Sequence, residues 1–154
     1  MANITAAAVN ELRKRTGVGM MDCKKALVEC DGDMDKAIDY LREKGQKLAA
    51  KRADRDASEG AVLATVNADK TFAAVIMMNC ETDFVAKNED FVAFTKQVLQ
   101  TAVDAKAKSL EEVMALTING ISVETMIVEQ VAKIGEKITL SHYYPIEAVA
   151  TYAY

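Results

Sequence analysis

One histidine, one proline and three cysteines stand among 154 residues, and tryptophan is missing. Each scarcity excludes something. His142 has no companion serine or cysteine at the spacing of a nucleophile–base pair, so it is expected to be structural rather than catalytic. Cys23, Cys30 and Cys80 form neither a CxxC pair nor an even set. The first two lie seven residues apart on an expected helix. That is about 10 Å at 1.5 Å per residue, beyond the reach of a disulfide, and free thiols fit a reducing cytoplasm. No apolar run approaches the roughly 20 residues of a membrane span. Met1–Thr5 opens without the basic and apolar regions of a secretory leader. Thr16-Gly17-Val18-Gly19 matches neither the GxxxxGK[ST] nor the GxGxxG phosphate loop. Metal-ligand spacing of His, Cys and carboxylates is absent, and neither a metal nor a cofactor is expected.

What is present is the composition of a globular protein, 51% hydrophobic and 27% charged. The length suits one ordinary domain or two small ones. The net charge of −4 is unevenly spread: up to Asp56 there are 12 Lys and Arg against 10 Asp and Glu, and from Ala57 onward 7 against 13. The acidic larger part lacks the clustered basic surface of a nucleic-acid binder, so a protein partner is expected, with no direct nucleic-acid contact and no membrane.

The first 53 residues read as three helices. Thr5 is an N-cap, with Ile4 and Val9 at the spacing of a hydrophobic staple, and Val9 and Leu12 form the stripe. Gly17 and Gly19 break the helix. A second helix runs from about Met20 to Glu29 with Cys23, Leu27 and Cys30 on related faces. Gly32 suits its C′ position and Asp33 caps a third helix, where Met34, Ala37, Ile38 and Leu41 recur at i, i+3, i+4 and i+7. Gly45–Ser58, basic then acidic and small, is expected to be a solvated linker. Residues 1–55 and 56–154 are therefore expected to be separate domains. Met20 and Met21 are adjacent, so they cannot both face one core. Either one meets a partner, to which Met adapts well, or both lie at the bundle edge.

Beyond the linker, Gly60–Asn67 and Thr71–Asn79 are strand-like runs joined by the turn Asn67-Ala68-Asp69-Lys70. Phe72–Met78 is apolar at every position, which predicts a central strand covered on both faces. Asn88 caps a helix whose buried face is Phe91, Phe94, Val98 and Ala102. Ser109 caps a shorter helix to Leu116, Thr117–Ser122 reads as a loop, and Val123–Ile134 is a helix ended by Gly135. Lys137–Tyr144 alternates with Ile138, Leu140, His142 and Tyr144 on one face. Pro145 is expected to stop it. Ala148–Tyr154 reads as a further strand cut short, whose open edge could pair with another copy of the chain. The fold class is α+β: an N-terminal three-helix bundle, then an antiparallel sheet packed with helices.

Between the apolar strand and the Phe91 helix lies Asn79–Phe91, N-C-E-T-D-F-V-A-K-N-E-D-F. Asp83 and Phe84 sit side by side where the element changes. Phe84 either caps the core at the strand end or is presented outward.

Three segments carry a family resemblance. E-L-R-K-R-T-G-V-G-M-M-D-C-K-K-A-L (Glu11–Leu27), N-C-E-T-D-F-V-A-K (Asn79–Lys87) and V-A-K-I-G-E-K-I (Val131–Ile138) resemble, in order and spacing, the signatures of bacterial translation elongation factor Ts. The resemblance implies a ubiquitin-associated-like helical domain over 1–55 and the N-terminal half of the family's core domain over 56–154. It implies guanine-nucleotide exchange on the GTPase elongation factor Tu, releasing GDP and Mg²⁺ without covalent catalysis. Thr82, Asp83, Phe84 and Val85 match the segment that displaces the partner's Mg²⁺, with Phe84 as wedge and Asp83 as its polar neighbour. Arg13, Met20, Met21 and Lys24 match partner-facing positions of the N-terminal domain, and Ile134 and Gly135 a contact in the core. The resemblance places the family's contact histidine just beyond the strand at which this chain stops, and His142 does not align with it. Two other readings compete: a helical interaction module without exchange activity, and a thiol enzyme using Cys23 or Cys80.

Overall fold

The computed structural model describes residues 3–148. The chain divides into two compact units, one of residues 1–54 and 128–136, the other of 55–127 and the chain from Lys137 onward.

The first unit contains α1 (Ala6–Thr16), α2 (Met20–Glu29) and α3 (Met34–Lys51). Local chemistry sets their ends. Thr5 Oγ1 accepts the Ala8 N–H at 3.2 Å, and Gly17, at φ 68°, returns its N–H to the Arg13 carbonyl. After α2 the left-handed pair is Asp31 and Gly32, and the Gly32 N–H reaches back to the Leu27 carbonyl at 2.8 Å. Gly32 therefore stands one residue later than the expected C′ position. Asp33 Oδ1 then accepts the Lys36 N–H at 3.0 Å. The three helices enclose Val9, Leu12, Val18, Cys23, Ala26, Leu27, Ala37 and Leu41.

Helix α3 does not stop at the expected linker. It runs through buried Gly45 to Lys51. The reason is tertiary: a Cβ on Gly45 would lie 3.1 Å from the Ala132 Cβ and 3.4 Å from the Val128 carbonyl oxygen. A glycine that weakens the isolated helix here lets another segment of the same unit approach closely. Arg42 adds an ion pair to Glu129 at 2.8 Å. Residues 128–136 include the last part of α7 (Val123–Ile134), whose first part belongs to the second unit. Gly135, at φ 80°, ends that helix as expected.

The second unit is built on a three-stranded sheet of order β1-β2-β5, from β1 (Glu59–Val66), β2 (Phe72–Cys80) and β5 (Thr139–Glu147), antiparallel throughout. Helix α5 (Glu89–Asp104) lies on one face, burying Phe91, Phe94, Val98 and Ala102 as its periodicity predicts. Phe72, Ala74, Ile76 and Met78 meet it from β2. Among the described residues the other face is not sealed: Ala73, Val75 and Met77 are half-buried, and Val62, Val66, Tyr144 and Ile146 are exposed. The apolar run of β2 thus reports hydrophobicity on both faces and cover on only one.

Strand β5 departs twice from expectation. A bulge at Ser141 shifts the pairing from Met78–Leu140 to Met77–His142. The extra residue turns Tyr143 inward with Ile138 and Leu140, while His142 and Tyr144 go to the exposed side. Nor does Pro145 end the strand, which continues to Glu147. β5 is an edge strand of the described sheet, where a missing N–H is tolerated. The expected strand Ala148–Tyr154 and its self-pairing edge lie, beyond Ala148, outside the described residues. Short α6 (Leu110–Ala115) follows its Ser109 cap, and the expected loop at Thr117–Ser122 is a minimal hairpin. Its strands are β3 (Thr117–Ile118) and β4 (Ile121–Ser122), with Asn119 and Gly120 at φ 53° and 79°, the twist such turns require.

Candidate partner-binding site

At Cys80 the central strand ends and the chain leaves the ladder. Thr82 caps a single helical turn, α4 (Asp83–Ala86), its Oγ1 accepting the Val85 N–H at 3.4 Å. Val85 and Ala86 are half-buried and α4 packs on β1 and β2. Phe84 is 84% exposed. The choice left open by the sequence is therefore decided for outward presentation.

The turn is held at its root. Asn79 is buried, and its side-chain amide donates to the Glu59 carbonyl at 3.2 Å. Its oxygen accepts a short hydrogen bond from the Ser141 hydroxyl at the bulge. The Cys80 thiol donates to the Thr82 carbonyl at 3.2 Å. Glu81 accepts the Lys137 backbone N–H at 2.7 Å through Oε1 and the Arg55 guanidinium at 3.0 Å through Oε2. Gly60 pairs with Asn79 across the ladder. A Cβ there would stand 2.3 Å from the Met78 carbonyl oxygen, so glycine is required for β1 to lie this close.

On the turn's outer side Lys87 Nζ meets Asp83 Oδ2 at 2.9 Å. The Lys87 hydrogen bond and charge hold the Asp83 carboxyl below its ordinary range, and Asp83 in return raises the Lys87 ammonium. Both side chains face water, so the pair orients more than it stabilises.

The remaining expected residues belong to the first unit. Arg13 is exposed near the end of α1, and Met20, Met21 and Lys24 are exposed on the first turns of α2. Both methionines face solvent, at 46% and 67% exposure. Ile134 and Gly135 are half-buried at the end of α7, and the stem of neighbouring Lys133 lies 3.0 Å from where a Gly17 Cβ would stand. The structure thus gathers the Thr82–Val85 group on one turn of the second unit and carries the other two groups in the first.

Most of the bracing has no local sign in the sequence. Asp83 and Lys87 stand at i, i+4, a spacing that announces their pair. Glu81 has no such local sign, since Arg55 and Lys137 are 26 and 56 residues away in the chain. Neither Cys23 nor Cys80 is accessible to a substrate. Cys23 is fully buried, donates to the Val18 carbonyl at 3.5 Å, and has its pKa raised chiefly by burial. Cys80 is likewise buried, whereas a reactive thiol needs access. Among the described residues no helix is long and apolar enough to cross a membrane.

Comparison with known proteins now places the chain. The family model described as elongation factor TS matches residues 81–154, and that described as elongation factor Ts, mitochondrial, N-terminal matches residues 1–49. Elongation factor Ts of Christiangramia forsetii is 56% identical over 148 residues, 96% of this chain and 53% of the relative. That of Flavobacterium johnsoniae is 53% identical over 154 residues, 100% of this chain and 48% of the relative. That of Rhodopirellula baltica is 52% identical over 147 residues, 96% of this chain and 44% of the relative. The chain spans about half the length of the curated relatives it matches. With signatures matched in both units and identity above one half along nearly its whole length, the chain belongs to the elongation factor Ts family.

Proposed function

We propose that this chain promotes nucleotide exchange on the GTPase elongation factor Tu in the cytoplasm, speeding release of GDP and Mg²⁺ during translation elongation. The observation that carries the reading is Phe84: a large apolar side chain, 84% exposed, on a capped turn beside a carboxylate. An aromatic so placed has no role in this chain's own core. Inserted between helices of the GTPase near its metal, it acts as a wedge, and Asp83 disturbs the groups that order Mg²⁺ without binding the ion.

In this reading residues 1–55 form a ubiquitin-associated-like domain whose Arg13, Met20, Met21 and Lys24 meet the nucleotide domain of the GTPase. Residues 56–154 correspond to the first half of the core domain, and Ile134 and Gly135, which the structure carries in the first unit, add a further contact. Exchange needs no covalent step. By linkage, a factor that weakens GDP binding is itself weakened by GDP in the same ratio.

Burying one Phe contributes roughly 1.5–3 kcal/mol, a factor of about 10 to 150. Several contacts must therefore act together to open a tightly held nucleotide site, and this chain is expected to exchange more slowly than relatives of twice its length. Stopped-flow release of fluorescent GDP from elongation factor Tu, with and without Mg²⁺, tests the reading. Acceleration by the wild-type chain and its loss in Phe84→Ala are expected; equal rates for the two would overturn it.

A further inference from the structure

We infer that Glu81 is a positioning residue for the Phe84 wedge, an inference that rests on the exchange reading above. α4 has four residues and buries none of them fully, and so short a helix cannot hold its own orientation. Its direction must come from its root. Glu81 is the first residue beyond the β2 ladder and directly precedes the Thr82 cap.

The Glu81 side chain is 15% exposed, and its two oxygens take donors from two distant segments. Oε1 accepts the Lys137 backbone N–H at 2.7 Å and Oε2 the Arg55 guanidinium at 3.0 Å. The Lys137 ammonium closes the ring by donating to the Arg55 carbonyl at 2.9 Å. Arg55 opens the second unit, and Lys137 is where the chain returns to it. One carboxylate therefore fixes the start of the wedge turn to both points at which the chain enters the unit. A charged acceptor receiving a backbone N–H and a guanidinium is the strong form of the hydrogen bond, and a carboxylate's paired oxygens suit it to bridging two donors at once. Phe84 itself makes no such tie, so its angle of entry into a partner is inherited from Glu81.

A group that positions the wedge acts on the rate within the complex more than on formation of the complex, which also draws on the contacts of the first unit. The test uses the whole 154-residue chain, with GDP release from elongation factor Tu followed while the factor is titrated. Glu81→Ala is expected to lower the maximal release rate about tenfold, the size of one lost charge-assisted hydrogen bond, with the half-saturating concentration moving less than about threefold. Glu81→Gln keeps an oxygen for the Lys137 N–H, and is expected to recover to within about threefold of wild type.

A wild-type maximal rate in Glu81→Ala overturns the inference, as does a defect lying wholly in the half-saturating concentration. So does Glu81→Gln as slow as Glu81→Ala. If Glu81→Ala loses its folded circular-dichroism signal, Glu81→Gln and Arg55→Gln carry the test. Both are expected to fold and to lower the maximal rate by about two- to threefold, in line with a weakened rather than deleted tie; wild-type rates in both overturn the inference. Phe84→Ala separates the two levels. If Phe84→Ala is slow and Glu81→Ala is not, the inference alone falls. If Phe84→Ala exchanges like wild type, or the wild-type chain leaves GDP release at its spontaneous rate, the exchange reading falls and the inference with it.

Discussion

Two of the exposed apolar groups, the Met20–Met21 pair and Phe84, are held in different ways. Met20 and Met21 stand at the start of α2, a ten-residue helix that buries Cys23, Ala26 and Leu27 beneath them. Phe84 stands on α4, a four-residue turn with no fully buried residue. The methionines are held by a hydrophobic core under their own helix, and their side chains remain adaptable. The phenylalanine is held by polar side chains at the root of its turn, and its ring is stiff. A soft surface on a firm helix suits adjustable docking, whereas a stiff ring on a braced turn suits forcing a gap. The difference lies in which interactions set the position, so different mutations should disturb the two.

The largest effect is expected in the core beneath the methionines. Leu27 is fully buried, and Leu27→Ala should destabilise the first unit by about 2–5 kcal/mol. Hydrogen exchange would show α1–α3 amides losing protection while those of β1 and β2 keep theirs. Equal loss in both would erase the distinction between the regions.

Phe84→Ala comes next and reverses the pattern. The side chain has no core to leave, so stability should change by no more than about 0.5 kcal/mol, while GDP release slows by about 10- to 150-fold if the ring is buried in the complex. Met21→Ala, also at an exposed position, should weaken apparent affinity while leaving the maximal rate nearly intact. Equal splits between rate and affinity for the two variants would merge the two modes into one.

Much of this arrangement was legible in the sequence where the signal was local. Thr5, Asp33, Asn88 and Ser109 cap the helices expected of them, because a cap needs only a side-chain oxygen two or three residues from an orphan N–H. The α5 face follows from its period. What escaped depends on residues far apart in sequence. Gly45 looks like a helix end until Ala132 is seen against it. Pro145 looks like a strand end until β5 is known to be an edge of the described sheet. The bulge at Ser141 has no local sign, yet it decides that Tyr143 rather than His142 enters the core. The Asn119-Gly120 turn is the opposite case, a strong hairpin signal within a stretch expected to be a loop. At the site, Phe84 was legible as a residue out of pattern, while the ties of Asn79 and Glu81 that aim it were not.

A smaller effect is expected at the cap. Thr82→Ala removes the acceptor of the Val85 N–H and should cost about 1 kcal/mol. That is little for the unit as a whole but a large share of what holds a single turn. Thermal denaturation should barely move while GDP release slows, and Thr82→Ser should restore it. An unchanged release rate in Thr82→Ala would mean that the root ties suffice without the cap.

The smallest effect is expected from pH. Asp83 has a lowered pKa and Lys87 a raised one, each caused first by their mutual hydrogen bond. The lowered Asp83 favours the folded turn above its ordinary value of 3.8, and that contribution is lost as pH falls through the folded value. The raised Lys87 favours the folded turn below its ordinary value of 10.5, and that contribution is lost as pH rises through the folded value. Between those limits the pair stays intact. GDP release driven by this chain, corrected for the GTPase alone, should be flat from about pH 5 to 9 as far as this pair is concerned. Added salt should screen the exposed pair and slow release slightly. In Lys87→Gln the salt response should shrink. An undiminished response would place the charge that matters elsewhere, and Phe84 would then be held by Glu81 and Asn79 without help from the outer face of the turn.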